Sequence, residues 1–322
     1  MNRKLRLILV SFIVLLLIGA VFMTGCTDQA PAATPTPTPT PAPTAAPGPK
    51  QELHIATTTS LYDTGLLDYL KTDFEGQYNA EVKIISAGTG KALEYGEAGD
   101  VDVMMVHDRV REDLFIENGF GVNRRVIAYN YFVIVGPESD PAAITGLSPE
   151  DAFTTIMEKG QTDPAVKFVS RGDESGTHAK EKAIWTSAGY TYDEVKASGD
   201  WYIEAGSGMG ATLTLANEKE AYTLSDIGTF LAYQGDISLV IVVEEGDILL
   251  NIYSAMQINP ATYPEVNSTL AKEWINYLIT EDTQDKIGTF RVAEFGRPLF
   301  FPSLGAWEKI GVTQEECETP IS

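Results

Sequence analysis

Cysteine is nearly missing from this chain of 322 residues, Cys26 and Cys317 being the only two. That excludes a disulfide framework and any cysteine-rich zinc module, so the folded part must be held by packing. Histidine occurs three times, at His54, His107 and His178, with no HExxH and no EF-hand loop, and no metal site is expected. Positive charge is short as well: 23 Lys and Arg against 45 Asp and Glu give a formal net charge of -22. A nucleic-acid partner needs a basic face to neutralise phosphates, so that class is excluded. A small anion is not excluded, because binding in a cleft is governed by helix ends and local dipoles more than by distant surface charge.

Long apolar runs are confined to one, over 7–23, preceded by Arg3, Lys4 and Arg6 and followed by Thr24-Gly25-Cys26. A basic start, an apolar stretch and small residues before a cysteine form an export signal over 1–25. The small residues resemble a bacterial lipobox, although Met23 stands where Leu is usual, and Cys26 is the expected lipidation site. The alternative is an uncleaved anchor, since the run is near the lower limit for spanning a ~30 Å hydrocarbon core. Either way the body lies at the extracytoplasmic face of the membrane. Residues 26–50 are dominated by Pro, Thr and Ala, which bury no apolar surface, and read as an extended tether. With Cys26 lipidated, Cys317 is left as a lone thiol.

From residue 51 the pattern turns globular. Short apolar strands alternate with amphipathic helices, the signature of an α/β sheet with helical crossovers. Strands are expected over 53–57, 82–86, 101–107 and 126–135, and helices over 64–78, 90–98 and 109–118. A second series follows with a helix over 148–159, a strand over 166–169, helices over 176–188 and 209–219, and a strand over 221–224. Strands over 237–243 and 248–258 and helices over 264–279 and 283–290 then return. This order predicts two lobes, 51–135 with 236–322 and 136–235, joined by two extended crossings as in hinged binding proteins. Residues 303–322 read as a peripheral tail.

Three segments join a predicted strand to a predicted helix and are rich in Gly, Ser and Thr. They are Thr57-Thr58-Thr59-Ser60, Ser86-Ala87-Gly88-Thr89-Gly90, and the run from Ser170-Arg171-Gly172 through Asp173-Glu174-Ser175 to Gly176-Thr177-His178. In open α/β sheets ligands bind beyond the carboxyl ends of strands, where helix N-termini expose unpaired N–H groups. Glycine lets the backbone approach closely, hydroxyls donate, and Arg171 offers a planar fork suited to an oxyanion. Taken singly each segment reads as an ordinary helix cap or turn; three together, from both lobes, predict a shared anion site.

These segments, with YNYFVIVGP and GMGATLTLANEKEAYTLSDIGTFLAY, resemble the tungstate-binding component of tungstate ABC transporters, over residues 53 to 302. The resemblance implies a two-lobed type II periplasmic-binding-protein fold, each lobe a mainly parallel sheet flanked by helices and joined by a two-strand hinge. It implies capture of tungstate or molybdate in the cleft and delivery to an ABC permease with a cytoplasmic ATPase, the receptor acting as a monomer without a cofactor. The implied donors come from Thr58, Thr59 and Ser60 in the first segment, Gly88, Thr89 and Gly90 in the second, and Ser170, Arg171, Ser175, Gly176 and Thr177 in the third.

The chemistry of the ligand separates the alternatives. A fully ionised dianion takes donors alone, whereas protonated phosphate also needs an acceptor. Asp173 and Glu174 could accept, but as residues preceding a helix they are expected to cap it and point away. With donors alone, affinity should be flat from about pH 6 to 9, while phosphate affinity should follow the ligand's second ionisation. Phosphate, sulfate and molybdate receptors remain alternatives. An exported serine hydrolase using Ser175 and His178 is the rival enzyme class, disfavoured because Ser175 lacks a Gly-x-Ser-x-Gly elbow; no catalytic residues are expected. A surface-adhesive role, with Trp185, Tyr190, Tyr192 and Trp201 as a sugar platform, is disfavoured because such rings belong in a core.

Overall fold

The structure, a computed structural model, describes residues 48–322. The export signal, the Cys26 lipidation site and nearly all of the tether lie outside the described residues, and among those described no helix is long and apolar enough to cross a membrane.

The chain enters as strand β1 (Gln51–Thr58), which pairs in parallel with both β2 (Ala80–Ala87) and β3 (Val103–Val106). A strand enclosed on both sides is apolar on both faces, and Ile55 and Ala56 are both fully buried. Between β1 and β2 lie α1 (Thr59–Asp63) and α2 (Leu66–Gln77), separated by Gly65 at φ +80, a left-handed turn that glycine adopts without strain. That turn is why the helix expected from residue 64 begins later; its buried side is Leu66, Leu67, Leu70 and Phe74, as the spacing predicts. Helix α3 (Thr89–Ala98) crosses from β2 to β3, and α4 (Arg109–Glu117), capped by Asp108, leads to β4 (Gly121–Gly136).

The middle of the chain holds α5 (Pro149–Gly160), β5 (Phe168–Ser170), α6 (Gly176–Ser187), α7 (Tyr192–Ala197), β6 (Tyr202–Glu204), α8 (Met209–Lys219), β7 (Thr223–Asp226) and α9 (Ile227–Tyr233). Strand β8 (Val240–Val243) and a 3-10 turn at Asp247–Leu249 precede β9 (Leu250–Ile258), α10 (Ser268–Leu278) and α11 (Glu281–Thr289). The chain closes with α12 (Val292–Phe295), β10 (Phe301–Pro302), α13 (Trp307–Ile310) and α14 (Gln314–Glu318).

The main sheet runs β10-β4-β9-β3-β1-β2. Strand β4 links two regions: its first part pairs with β9 from Gly121 to Tyr131, and its last part, from Phe132, pairs with β7 and β8. With β9 returning beside it, β4 forms a long antiparallel pair through the middle of the sheet. The sheets are mixed rather than mainly parallel. A strand that leaves and another that returns must run in opposite directions, so β4 is antiparallel to β7, β8, β9 and β10, while β1 pairs in parallel with β2 and β3, and β5 with β6.

One apolar cluster packs Trp185, Phe153, Phe168 and Tyr222 beneath the middle segment, so the expected rings are largely core. Another runs continuously from Leu53 and Leu61 through Met209, Leu213 and Phe230 to Trp274. The C-terminal segment is not peripheral: Ser303, Ile310, Cys317 and Ile321 are buried. Glu316 on α14 bridges Arg109 at 2.6 Å and Arg124 at 3.0 Å, holding the end of the chain against α4 and β4.

Candidate functional site

The first segment turns from β1 into α1. Thr57 Oγ1 donates to the Met105 carbonyl at 2.9 Å, which spends that hydroxyl on the sheet. Thr58 caps α1, its Oγ1 accepting from Leu61 N, and lies 3.3 Å from Ser60 Oγ. Thr59 is half-buried beside them. In the second segment Gly88 caps α3 with no side chain, leaving the first-turn N–H groups at Thr89 and Gly90 uncapped at the positive end of the helix dipole.

The third segment is the most constrained. Gly172 sits at φ +59, and a Cβ there would lie 2.9 Å from Glu204 Cβ, so only glycine fits. Ser175 caps α6 by accepting from His178 N at 3.2 Å. Arg171 is 4% exposed. Its Nη2 donates to Asp173 Oδ2 at 2.6 Å, while its buried Nε finds no acceptor among the described residues. Thr177 Oγ1, in the first turn of α6, is also buried and unpartnered among them.

These segments meet at His107, which follows β3. Ser60 Oγ lies 3.0 Å from His107 Nε2. A methyl group on Gly176 would stand 3.0 Å from His107 Cε1 and 3.4 Å from Thr89 Oγ1. Burial raises the carboxyls of Asp63 and Asp226 and lowers His107 to about 4; the Arg171 charge acts on all three, opposing the first two shifts and adding to the third. Gly176→Ala tests the convergence: crowding of this order costs about 1–3 kcal/mol, so oxyanion affinity should drop about tenfold or more by calorimetry while the unliganded far-UV circular dichroism is unchanged.

Two expected roles change. Ser170 Oγ donates to Glu181 Oε2 at 2.6 Å and accepts from Gly172 N at 3.2 Å, so its hydroxyl is engaged in holding the loop. Asp173 does not cap the helix, whose N-cap is Ser175; its Oδ1 accepts from Ser175 N at 3.2 Å, and it turns toward the site by pairing its Oδ2 with Arg171 instead of pointing away. Glu174, at φ +56, pairs outward with Lys182 at 2.9 Å.

His178 is 2% exposed and structural. Its Nδ1 accepts from Glu174 N at 3.0 Å and its Nε2 lies 2.8 Å from Tyr192 Oη. Both ring nitrogens are engaged away from the Ser175 hydroxyl, so the pair does not form the nucleophile and base of a serine hydrolase.

Composition missed His107, Asn251 and Glu181. His107 shares the signal that marked the other segments, a position just beyond a strand's carboxyl end. Glu181 is buried under the third segment and accepts from Ser170, Trp185 Nε1 at 3.1 Å and Tyr202 Oη at 2.6 Å. Burial pushes its carboxyl up to about 7 despite these donors. Because the folded value lies above the unfolded one, the neutral form is favoured on folding, and the carboxyl's contribution weakens as pH rises from about 4.5 to 7. The melting temperature of wild type minus that of Glu181→Gln should therefore fall across that interval and level off above it.

A sheet whose strands end in glycine- and hydroxyl-rich turns, an uncapped helix N-terminus and a buried guanidinium define a solute-binding protein. Residues 38–282 match the family model described as a PBP superfamily domain. The chain is 38% identical over 296 residues to the tungstate-binding protein TupA of Peptoclostridium acidaminophilum, covering 92% of this chain and 98% of that one. It is 50% identical over 262 residues to a putative ABC transporter anion-binding protein of Haloferax volcanii, covering 80% and 73%. Among solved structures, the tungstate-binding protein TupA from Desulfovibrio alaskensis superposes with a TM-score of 0.68 at 40% identity, covering 78% of this chain and 98% of that one. The chain belongs to the PBP superfamily and, within it, to the family of the tungstate-binding protein TupA.

Proposed function

We propose that this protein captures tungstate outside the cytoplasm and delivers it to an ABC permease, without chemical change to the ligand. The observation that carries this reading is the pair of buried donors, Arg171 Nε and Thr177 Oγ1, that have no acceptor among the described residues and lie in the segment meeting Ser60 and Thr89 around His107. An unpaired buried donor costs roughly 1–3 kcal/mol, which an oxyanion would recover. The donor set is Thr58, Thr59, Ser60 and Thr177 with Arg171, the backbone at Gly88, Thr89 and Gly90, and the first turn of α6 from Ser175 to Gly176. Both Asp173 oxygens accept within the loop, from Arg171 and from Ser175 N, and the choice of tungstate over phosphate rests on the TupA relatives.

In this reading residues 51–135 with 236–322 form one lobe and 136–235 the other, closing over the anion, and the receptor is a monomer tethered by lipid on Cys26. Molybdate, of the same shape and charge, is its nearest competitor. A thermal-shift titration of the soluble domain with tungstate, molybdate, sulfate and phosphate tests it. Tungstate at a hundred times its dissociation constant should stabilise by about 2.7 kcal/mol, with sulfate and phosphate inert at that concentration. Stabilisation by none of the four would overturn the reading.

A further inference from the structure

His107 is a half-buried titratable side chain at the meeting point of the three segments, and the donor set does not use it. Its hydrogen-bond direction is fixed from far away. Asn130 Nδ2 donates to the Leu299 carbonyl at 3.2 Å, so Asn130 Oδ1 is turned to Asn251, whose Nδ2 donates to it at 3.0 Å and to Tyr253 Oη at 2.8 Å. The Asn251 atom left facing His107, 3.0 Å from Nδ1, is the carbonyl oxygen Oδ1. Nδ1 therefore carries the hydrogen, and in a neutral ring Nε2 has only a lone pair. Its neighbour at 3.0 Å, Ser60 Oγ, must donate to it. The Ser60 hydrogen is thereby aimed at the imidazole and away from any anion.

An oxyanion that accepts from Ser60 has to take that hydrogen. The turn leaves two lone pairs, on Nε2 and on Oγ, facing one another 3.0 Å apart in a partly buried place. We propose that one proton from solvent is taken up on His107 Nε2 as the oxyanion binds, so that Nε2–H donates to Ser60 Oγ and Ser60 O–H donates to the anion. The balance is simple: a dianion and a proton enter, no covalent bond of the ligand changes, and the site gains a net single negative charge. His107 is then a positioning residue that releases Ser60 as a donor. This inference rests on the oxyanion reading above.

The surroundings suit the change. Without ligand, burial holds the ring neutral, lowering its pKa to about 4; Arg171 and Lys180 push the same way, and Asp108 and the Asn251 bond oppose. Arg109 and Arg111 on α4 and Asp247 ahead of β9 line the adjoining cavity of about 500 Å3, and the Tyr253 ring on β9 lies 4.9 Å from the imidazole. A bound dianion beside the ring reverses the balance. The sign follows: if the liganded value is higher than the free one, affinity rises as pH falls between the two, by up to about tenfold per pH unit. The flat profile expected from donors alone is replaced by a slope.

Calorimetry of the protein with sodium tungstate, in buffers of differing ionisation enthalpy between pH 6.5 and 8.5, measures the proton number. Wild type should take up at least about half a proton per anion at pH 7, and His107→Gln none, with weaker and pH-independent binding. Tungstate binding with no proton uptake across this range overturns the inference and leaves the oxyanion reading standing. Absence of binding by wild type overturns that reading itself. Equal uptake in His107→Gln moves the proton elsewhere and removes His107 from the role. Should the variant misfold, imidazole nitrogen NMR of the wild type decides: His107 should pass from an Nδ1–H neutral ring to imidazolium on adding tungstate, and a ring that stays neutral overturns the assignment.

Discussion

Arg171→Ala should weaken tungstate binding by one to two orders of magnitude or more while leaving the unliganded fold in place. Charge-assisted hydrogen bonds contribute roughly 1.5–3 kcal/mol each, and this guanidinium has a buried Nε free to donate to an anion. Its loss would leave the Asp173 carboxylate, now without its cation, beside the ligand, adding repulsion to the lost bonds. The fold should survive because Asp173, 20% exposed, still accepts from Ser175 N and can be reached by water. Arg171→Lys separates charge from shape: a lysine keeps the charge but not the planar fork, and should fall between wild type and alanine. Titration calorimetry of the three proteins, with circular dichroism of each, checks the order; alanine binding as tightly as wild type would remove Arg171 from the site.

The largest stability loss should come from Trp185→Ala, at about 3–5 kcal/mol. Trp185 is fully buried and packs on Phe153 at 4.4 Å and Phe168 at 5.8 Å between ring centroids, with Trp201 and Tyr202 further round. Its indole N–H also donates to Glu181, so truncation opens a cavity and removes a donor from a buried carboxyl. Urea unfolding should show a lower midpoint with an unchanged slope. Oxyanion affinity should decline as well, because Glu181 holds Ser170, and Ser170 holds the Gly172 turn behind Arg171.

Much of this arrangement was legible in the residues. Apolar spacing marks β1, α2, α3, β4 and β9 because each buries a continuous face, and the turn-rich segments stand out because capping and close approach both demand Gly, Ser and Thr. What escaped has physical reasons. Helix α7 and strand β6 are too short to carry a period, although the Thr191–Glu194 capping box is a local trace of the former. The antiparallel pairing of β4 with β9 is chosen by contacts across more than a hundred residues of chain, as with Tyr129 and Ile252, which no local window contains. Ser170 looked like a ligand donor by composition alone; the direction in which its hydroxyl points depends on Glu181, a residue on the following helix. His107 carries no local signal beyond its place after a strand, and its position among the loops follows from the height at which β3 ends beside β1.

The docked C-terminal segment has a practical consequence. Cys317 is fully buried on α14, and burial pushes its thiol up to about 12, so at neutral pH almost no thiolate exists to react. A soluble form beginning after residue 26 carries this thiol alone, and an alkylating reagent can reach it only when the last helix lifts from β4. Its labelling rate thus becomes a clock for local opening, read at a single atom and without any introduced probe.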